Sequence, residues 1–238
     1  MSIDILLAVI TTSAIQSIFG VGVLLFGTPI LLLLGYDFVN TLRILLPISI
    51  AINSLQILKH YPLIDGSFYK KVLIYSIPLV VIFLFMITSV RINMGILVGI
   101  FLVLVALKNY SKKIEQALEV VVKKEKLFLS VMGIVHGLTN LGGSLLTAIV
   151  HSKQYEKDQT RVTVAICYAT FAVFQLITLM FLGKHYTFSF AENALFMQIG
   201  VLVFLLTEEM VYTQIDNKKY HKIFAAFLLI SGILLILK

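Results

Sequence analysis

Long apolar stretches alternate with short polar segments along almost the whole chain. The apolar stretches cover about 3–34, 39–58, 72–89, 93–108, 127–150, 160–182, 191–211 and 221–237. Because a transmembrane helix needs roughly 17–25 predominantly apolar residues, each stretch is close to or above the length that one crossing requires. The pattern predicts an all-α polytopic membrane protein with about eight transmembrane helices.

The first stretch is too long for one straight helix. A helix over residues 3–34 would measure about 48 Å at 1.5 Å per residue, whereas the hydrocarbon core of a bilayer is about 30 Å thick. Gly20, Gly22 and Pro29 lie inside this stretch and disfavour an unbroken helix. We expect a span from about 3 to 19, a break, and a shorter helix to Leu34 that does not necessarily cross.

A second glycine-containing run, Gly142-Gly143, predicts a similar break in the 127–150 stretch. Aligning Gly22 with Gly143 brings Arg43 against Arg161 after a three-residue gap. We therefore predict an internal duplication, as an inverted or a tandem repeat. The first repeat would cover 1–108, a charged linker 109–126, and the second repeat 127–238. Each repeat would contain four helices and begin with a broken one.

Composition supports a membrane protein without a sizeable soluble domain. Hydrophobic residues make up 59% of the 238 residues and charged residues 13%, with a mean hydropathy of +1.00. Soluble domains are about 45–50% apolar and about 25% charged. The single cysteine, Cys167, rules out an intrachain disulfide and a cysteine-based metal site. No cofactor and no metal are predicted.

The net charge of +7 comes largely from lysines in short polar segments, notably 59–71 and 109–126. Lysine in such loops marks the cytoplasmic side of a membrane protein rather than a nucleic-acid site. If all eight stretches cross, both loops and both termini lie together, and we expect a bacterial inner-membrane protein with cytoplasmic termini. Lys218, Lys219 and Lys222 would then lie on the opposite side and argue against this orientation. The oligomeric state stays open, a homodimer included.

The two breaks are also the candidate functional feature. Backbone N–H groups exposed by a break within the membrane must line a cavity, and breaks in corresponding halves mark the substrate site of many transporters. Arginine nearby favours an anionic substrate. The candidate substrate-binding residues are Gly20, Val21, Gly22, Arg43, Asn53, His136, Asn140, Gly142, Gly143, Ser144 and Arg161. His136 is also the candidate for carrying a coupled proton.

Each of these features has a structural alternative. Glycines allow close helix packing, and buried polar side chains form hydrogen bonds between helices. An arginine near a span end can extend to the interface. Ser144 with His136 or His151 superficially resembles a hydrolase pair, but no G-x-S-G run is present, and we expect no enzyme. A non-transporting scaffold would lack paired polar breaks.

The glycine motifs resemble those of the TauE/SafE sulfite-exporter family, also called the TSUP family of anion transporters. Phe19-Gly20-Val21-Gly22, continuing to Pro29 and Gly35, is similar to the family's FGxGGG…PLLLLG run, and Asn140 to Leu146 is similar to its second copy. The resemblance implies two four-helix halves that move sulfite, sulfonates or sulfoacetate-like anions. The first copy has fewer glycines than is usual, and Val150-His151 replaces a usual proline. The particular anion therefore stays open, with carboxylates as the alternative, as does the direction of transport.

Overall fold

The computed structural model describes residues 2–90, 92–108, 124–183, 189–211 and 217–238, and within these ranges the chain is helical and contains no strand. The helices are α1 (Ile3–Phe19), α2 (Val23–Leu33), α3 (Phe38–His60), α4 (Gly66–Tyr75), α5 (Ile77–Ser89), α6 (Met94–Lys108), α7 (Glu125–Thr139), α8 (Gly143–Ser152), α9 (Lys157–Phe181), α10 (Phe190–Val211) and α11 (Asn217–Leu237). The predicted all-α character is confirmed. The arrangement as eight crossing helices in two duplicated halves stays a prediction.

Helices α1 and α2 form a hairpin, which we call the first hairpin. Helix α1 starts, and helix α2 ends, at the same end of the bundle. Tyr36 Oη, just after α2, donates to Asp4 Oδ2 at the start of α1 at 2.7 Å. Lys238 Nζ, just after α11, donates to the carbonyl of Leu32 at 3.1 Å. We call the end marked by Asp4, Tyr36 and Lys238 the terminal face. The arms have 17 and 11 residues, about 26 and 17 Å, so the first arm is at the lower limit for crossing a bilayer and the second is too short.

Helices α7 and α8 form a second hairpin, which enters the bundle from the opposite end. Glu125, at the start of α7, pairs with Lys153, just after α8, at 2.7 Å. The same carboxylate pairs with Lys71 near the start of α4 at 2.5 Å. We call the end marked by Lys71, Glu125 and Lys153 the lysine face. Two hairpins therefore point towards each other from opposite ends.

The remaining helices connect the two faces. Within the described residues, four segments are long and apolar enough to cross a membrane, namely Phe38–Leu63, Gly66–Ser89, Lys157–Phe181 and Phe190–Glu208. Helix α3 runs from the terminal face to the lysine face, and α9 runs back beside it. Helices α6 and α11 also pack antiparallel, because Gly95 lies against Leu235 and Gly99 lies against Gly232, where a Cβ on Gly99 would be 2.7 Å from the carbonyl oxygen.

The predicted polar loop at 59–71 is wrong for residues 66–71, which form the first part of α4. Asp65 explains the earlier helix start, because its side chain accepts a hydrogen bond from the backbone N–H of Phe68 at 2.9 Å. Most of the predicted linker, residues 109–123, lies outside the described residues, and α7 already begins at Glu125.

The expected placement of the 59–71 segment on the side of the termini is also wrong. The start of α1 and the end of α11 lie at the terminal face, whereas Lys71 and Glu125 lie at the lysine face. The physical reason is that neither hairpin crosses the bundle. Helix α11 ends at the terminal face and therefore begins at the lysine face.

Polar side chains are concentrated inside the bundle and apolar side chains outside it, as a lipid environment requires. Gln16, Asn53 and Gln175 are fully or almost fully buried. Phe85, Met86, Leu104, Phe181 and Leu206 are among the large apolar side chains that the surface exposes. Buried amides of this kind need partners within the protein, because lipid offers none.

Glu125 connects the two arms of the second hairpin at their open end through an ion pair, and the strength of this connection depends on pH. Burial by itself would raise the pKa of Glu125, but the contacts with Lys153 and Lys71 hold that pKa below its usual value of 4.5. The stabilisation from such a carboxylate is present at neutral pH and is lost as the pH falls below 4.5 through the folded-state pKa.

Replacing Glu125 by Gln should therefore lower the thermal unfolding midpoint of the purified protein at neutral pH. A loss of about 1 kcal/mol corresponds to about 2–4 °C for a chain of this size. The difference from wild type should shrink as the pH falls below the usual pKa of a glutamic acid. Glu156→Gln, an exposed glutamate on the same face, is the matched control. An equal loss at neutral and acidic pH would contradict the ion-pair account.

Candidate functional site

The turn between the two arms of a hairpin is called its tip, residues 20–22 in the first hairpin and 140–142 in the second. The two tips share one backbone geometry. The first arm of each hairpin ends in a residue with left-handed backbone angles, Gly20 with φ 71° and Asn140 with φ 61°. In each case the N–H of this residue donates to the carbonyl four positions earlier, Gln16 or His136, at 2.8 Å. Glycine and asparagine are the residues that adopt this conformation most readily at the end of a helix.

A glycine follows two positions later in each hairpin, where the second arm folds back on the first. A Cβ on Gly22 would lie 2.5 Å from the backbone nitrogen of Gln16, and a Cβ on Gly142 would lie 2.5 Å from the Cβ of His136. Both positions therefore require glycine. In this geometry Gly22 corresponds to Gly142, one residue away from the Gly143 that sequence alignment placed opposite it.

At the first tip, a side chain supplies the hydrogen-bond acceptor for a backbone N–H group at the start of α2. Gln16 Oε1 accepts a hydrogen bond from the N–H of Val23 at 2.8 Å, one of the groups that have no partner within their own helix. Gln16 Nε2 donates to Asn53 Oδ1 at 3.1 Å. Asn53 in turn donates to the carbonyl of Ser49 at 2.8 Å. The predicted site residue Asn53 thus supports the first tip through Gln16.

Arg161 lies against the same tip, although it belongs to the second half of the chain. Its Nη2 donates to the carbonyl of Ser17 in the last turn of α1 at 3.1 Å. Its Cγ would lie 3.3 Å from a Cβ on Gly20. A positive charge at this end of a helix is favourable, because the last carbonyls carry partial negative charge.

The other contacts of Arg161 form a buried network. Nη1 pairs with Glu208 Oε1 at 3.0 Å, and the guanidinium lies 5.9 Å from the centre of the Phe204 ring. The Gln56 amide is oriented so that both its oxygen and its nitrogen have partners. Its oxygen accepts from Arg161 Nε at 3.0 Å, and its nitrogen donates to Asn53 Oδ1 at 3.0 Å. Arg161 therefore joins α1, α3, α9 and α10 around the first tip.

Arg43 lies elsewhere on α3. Its side chain is 3% exposed, and it belongs to the half of α3 nearer the terminal face. Arg161 reaches Gln56, thirteen residues further along α3, which is a rise of about 20 Å. The structure therefore does not bring the two predicted arginines together at one position.

The second tip meets the first hairpin and carries polar groups of a different kind. Asn140 Nδ2 donates to Thr28 Oγ1 of α2 at 2.9 Å. His136 Nε2 lies 3.2 Å from Gln175 Oε1, and the His136 ring lies 4.6 Å from that of Phe171. All three polar side chains, His136, Asn140 and Gln175, are 0% exposed. Among the described residues, Asn140 Oδ1, His136 Nδ1 and Gln175 Nε2 have no hydrogen-bond partner.

The start of α8 is closely packed. A Cβ on Gly143 would lie 1.0 Å from the hydroxyl oxygen of Tyr168, so the hydroxyl occupies the space that a side chain would need. Ser144 Oγ donates to the carbonyl of Leu141 at 3.2 Å. His136 pairs instead with Gln175, so the described contacts do not join Ser144 to a histidine base.

The structure thus gathers most of the predicted site residues at the two hairpin tips. Gly20, Val21, Gly22, Asn53 and Arg161 belong to the first tip, and His136, Asn140, Gly142, Gly143 and Ser144 to the second.

Sequence reasoning did not select Gln56, Gln175 and Glu208 for the site. Gln56 lies nineteen positions after Asp37, the residue before α3, and Gln175 lies nineteen positions after Glu156, the residue before α9. This equal spacing in the two helices is the sequence signal that could have identified both glutamines. Within the described ranges, no group of three or more His, Cys, Asp and Glu side chains could hold a metal ion.

Comparison with known families gives a match over nearly the whole chain. The family model described as "Sulfite exporter TauE/SafE" matches residues 5–235. No curated protein and no solved structure matches the chain at a significant level.

Replacing Gly143 by Ala should destabilise the protein by about 1–3 kcal/mol, because the new methyl group would overlap the Tyr168 side chain. The measurement is thermal unfolding in detergent. Gly66→Ala is the matched control, because a Cβ on Gly66 meets nothing within 4 Å. The cost of Gly143→Ala should be smaller in a Tyr168→Ala background. An undiminished cost in that background would contradict the close contact.

Proposed function

The chain belongs to the sulfite exporter TauE/SafE family and is therefore an integral membrane transport protein, and from this premise we propose that it carries small sulfur-containing anions, sulfite or sulfonates. The anion binds between the two hairpin tips, at mid-depth in the bundle. It is a secondary transporter, driven by gradients of its substrate or of a coupled ion.

The contact between the second tip and helix α2 of the first hairpin carries this proposal. Helices α2 and α8 both begin at a tip, and Asn140 Nδ2 bonds to Thr28 Oγ1 of α2 at 2.9 Å. The N-terminal end of a helix carries partial positive charge and N–H groups that suit an anion. Two such ends inside the bundle, one in each hairpin, favour a negatively charged substrate.

Side chains at the second tip add groups that fit the oxygens of a sulfite or sulfonate. Gln175 Nε2 is a buried hydrogen-bond donor without a partner among the described residues. A buried polar group left unpaired costs about 1–3 kcal/mol. A ligand that engages these groups gains affinity by removing that cost.

Helix packing supports an inverted duplication of the two halves. Helix α1 packs against α10 as α7 packs against α5, and α3 packs against α10 as α9 packs against α5. The first hairpin enters from the terminal face and the second from the lysine face. Inverted repeats of this kind permit alternating access, in which one half moves against the other around a central site.

The lysines favour an orientation with the lysine face in the cytoplasm of a bacterial cell. Among the described residues, the lysine face and the helix ends that reach it carry Lys59, Lys70, Lys71, Lys124, Lys126, Lys153 and Lys157, whereas Lys238 lies at the terminal face. Lysine and arginine accumulate in cytoplasmic segments. The start of α1 and the end of α11 would then lie on the side away from the cytoplasm. This is the reverse of the expectation from eight crossings.

The test is counterflow of labelled sulfite, isethionate and acetate in proteoliposomes that contain the purified protein. Wild type should exchange the sulfur anions and not acetate. Asn140→Gly should reduce this flux at least tenfold, because it removes the amide while glycine keeps the left-handed backbone, as Gly20 does in the first hairpin. A tenfold effect corresponds to about 1.4 kcal/mol of lost interaction.

Thr28→Val is the control, because it breaks the hydrogen bond between the hairpins but leaves the Asn140 amide in place. It should retain flux within a few-fold of wild type. Full flux in Asn140→Gly would show that the second tip does not bind the anion. Exchange of acetate alone would contradict the choice of sulfur anions.

A further inference from the structure

We propose that an oxygen of the transported anion takes, at the second tip, the place that the side-chain oxygen of Gln16 takes at the first, and that this anion carries one negative charge and a hydroxyl group of its own. Hydrogensulfite and hydroxysulfonates such as isethionate belong to this class. The inference rests on the proposed transport function and deepens it, because it names the place of the anion and the kind of sulfur anion that binds there.

His136 occupies in the second hairpin the position that Gln16 occupies in the first. Each lies four residues before the left-handed residue of its tip and accepts the N–H of that residue at 2.8 Å. Gln16 Oε1 also accepts from the N–H of Val23, the first residue of α2, whereas the His136 ring pairs with Gln175. Among the described contacts, no side chain accepts from the N–H of Gly143, the first residue of α8. The acceptor that the first tip obtains from within the chain is therefore left to the substrate at the second tip.

The unused polar atoms near the start of α8 include acceptors as well as a donor. Gln175 Oε1 can only accept, so in the neutral ring the His136 Nε2 that bonds to it carries the hydrogen, and Nδ1 is an acceptor without a partner among the described residues. Asn140 Oδ1 is a second such acceptor, and Gln175 Nε2 is a donor. A fully ionised anion has no hydrogen to give to the acceptors. An anion that keeps a hydroxyl group can donate to one of them, while its other oxygens accept from Gln175 and from the start of α8.

The surroundings of the second tip contain little positive charge with which to balance an anion. Asp, Glu, Lys and Arg are absent from the segments of α2, α5, α7, α8 and α9 that pack around it, residues 23–34, 77–90, 127–150 and 162–183. Arg161 lies fourteen residues before Gln175 on α9, about 21 Å away along the helix, and is paired with Glu208. The start of α8 carries the equivalent of about half a positive charge. One negative charge fits this environment, whereas a second would be buried without a counter-charge.

The start of α8 is enclosed by side chains. The Tyr168 hydroxyl occupies the space of a Cβ on Gly143, and the Tyr168 ring lies edge-on to the His136 ring with centroids 6.2 Å apart. His136, Asn140 and Gln175 are all fully buried. An anion therefore reaches these groups only when one half of the bundle moves against the other, as alternating access requires.

The test compares three sulfonates of similar size as inhibitors of labelled isethionate exchange in proteoliposomes at neutral pH. Isethionate has one charge and a hydroxyl group, ethanesulfonate has one charge and no hydroxyl group, and sulfoacetate has two charges. The half-inhibitory concentration of ethanesulfonate should be about tenfold higher than that of isethionate, because it leaves a buried acceptor unpaired. That of sulfoacetate should be at least about a hundredfold higher, because its second charge has no counter-charge.

His136→Gln tests the place of the anion. The new side chain should accept from the N–H of Gly143 as Gln16 accepts from Val23, and so fill the site from within the chain. Isethionate should then no longer raise the thermal unfolding midpoint, and its exchange should fall at least about tenfold. Without isethionate, the midpoint should equal or exceed that of wild type. His151→Gln makes the same change at the exposed far end of α8 and should match wild type.

Three results would overturn the proposal. Equal inhibition by ethanesulfonate and isethionate would show that no hydroxyl group is recognised, and equal inhibition by sulfoacetate would show that a second charge is accepted. Full exchange by a folded His136→Gln protein would place the anion elsewhere. The comparison of sulfonates uses wild type alone, so it decides the proposal even if His136→Gln does not fold. If wild type exchanges all three sulfonates alike, only this inference fails, whereas exchange of neither sulfonates nor sulfite would remove the proposed function as well.

Discussion

Backbone groups at an interrupted helix inside a bilayer must find partners within the protein, and the rest of this structure depends on how that requirement is met. Each hairpin places two helix ends in the middle of the bundle. At the first tip, Gln16 accepts from the start of α2, and Arg161 donates to the last turn of α1. Arg161 comes from a distant part of the chain, so its contact with α1 also ties the two halves of the sequence together.

The two tips have one backbone geometry and different side chains, and this difference divides their roles. The first tip is held by Gln16, Asn53, Gln56 and Arg161, with a carboxylate as the counter-charge. The second carries neutral polar groups with unused hydrogen-bonding capacity, on His136, Asn140 and Gln175. In the proposed transporter, the second tip offers polar contacts to an anion, and the first tip carries the positive charge of Arg161, which Glu208 balances.

The apolar stretches and glycine breaks predicted the helical character and the positions of the breaks, because length against bilayer thickness and backbone freedom are local properties. They did not reveal that the hairpins return to the face they started from, since that depends on contacts such as those of Tyr36 with Asp4 and Lys238 with Leu32. The same limit applies to the site. Arg161 was selected as an arginine that the alignment of the two halves places against Arg43, but its place beside Gly20 depends on the antiparallel packing of α3 and α9. The alignment was also shifted by one residue, so that it placed Gly143 where Gly142 belongs.

Entry of the two hairpins from opposite faces is the central claim, and the sidedness of cysteine labelling tests it most directly. Cys167 is buried, so single cysteines can be introduced into a Cys167→Ala background at Ile3 and Leu34 for the first hairpin and at Ser152 for the second. In sealed vesicles of known orientation, a membrane-impermeant maleimide should label Ile3→Cys and Leu34→Cys from one side and Ser152→Cys from the other. Labelling of Leu34→Cys and Ser152→Cys from the same side would contradict the account.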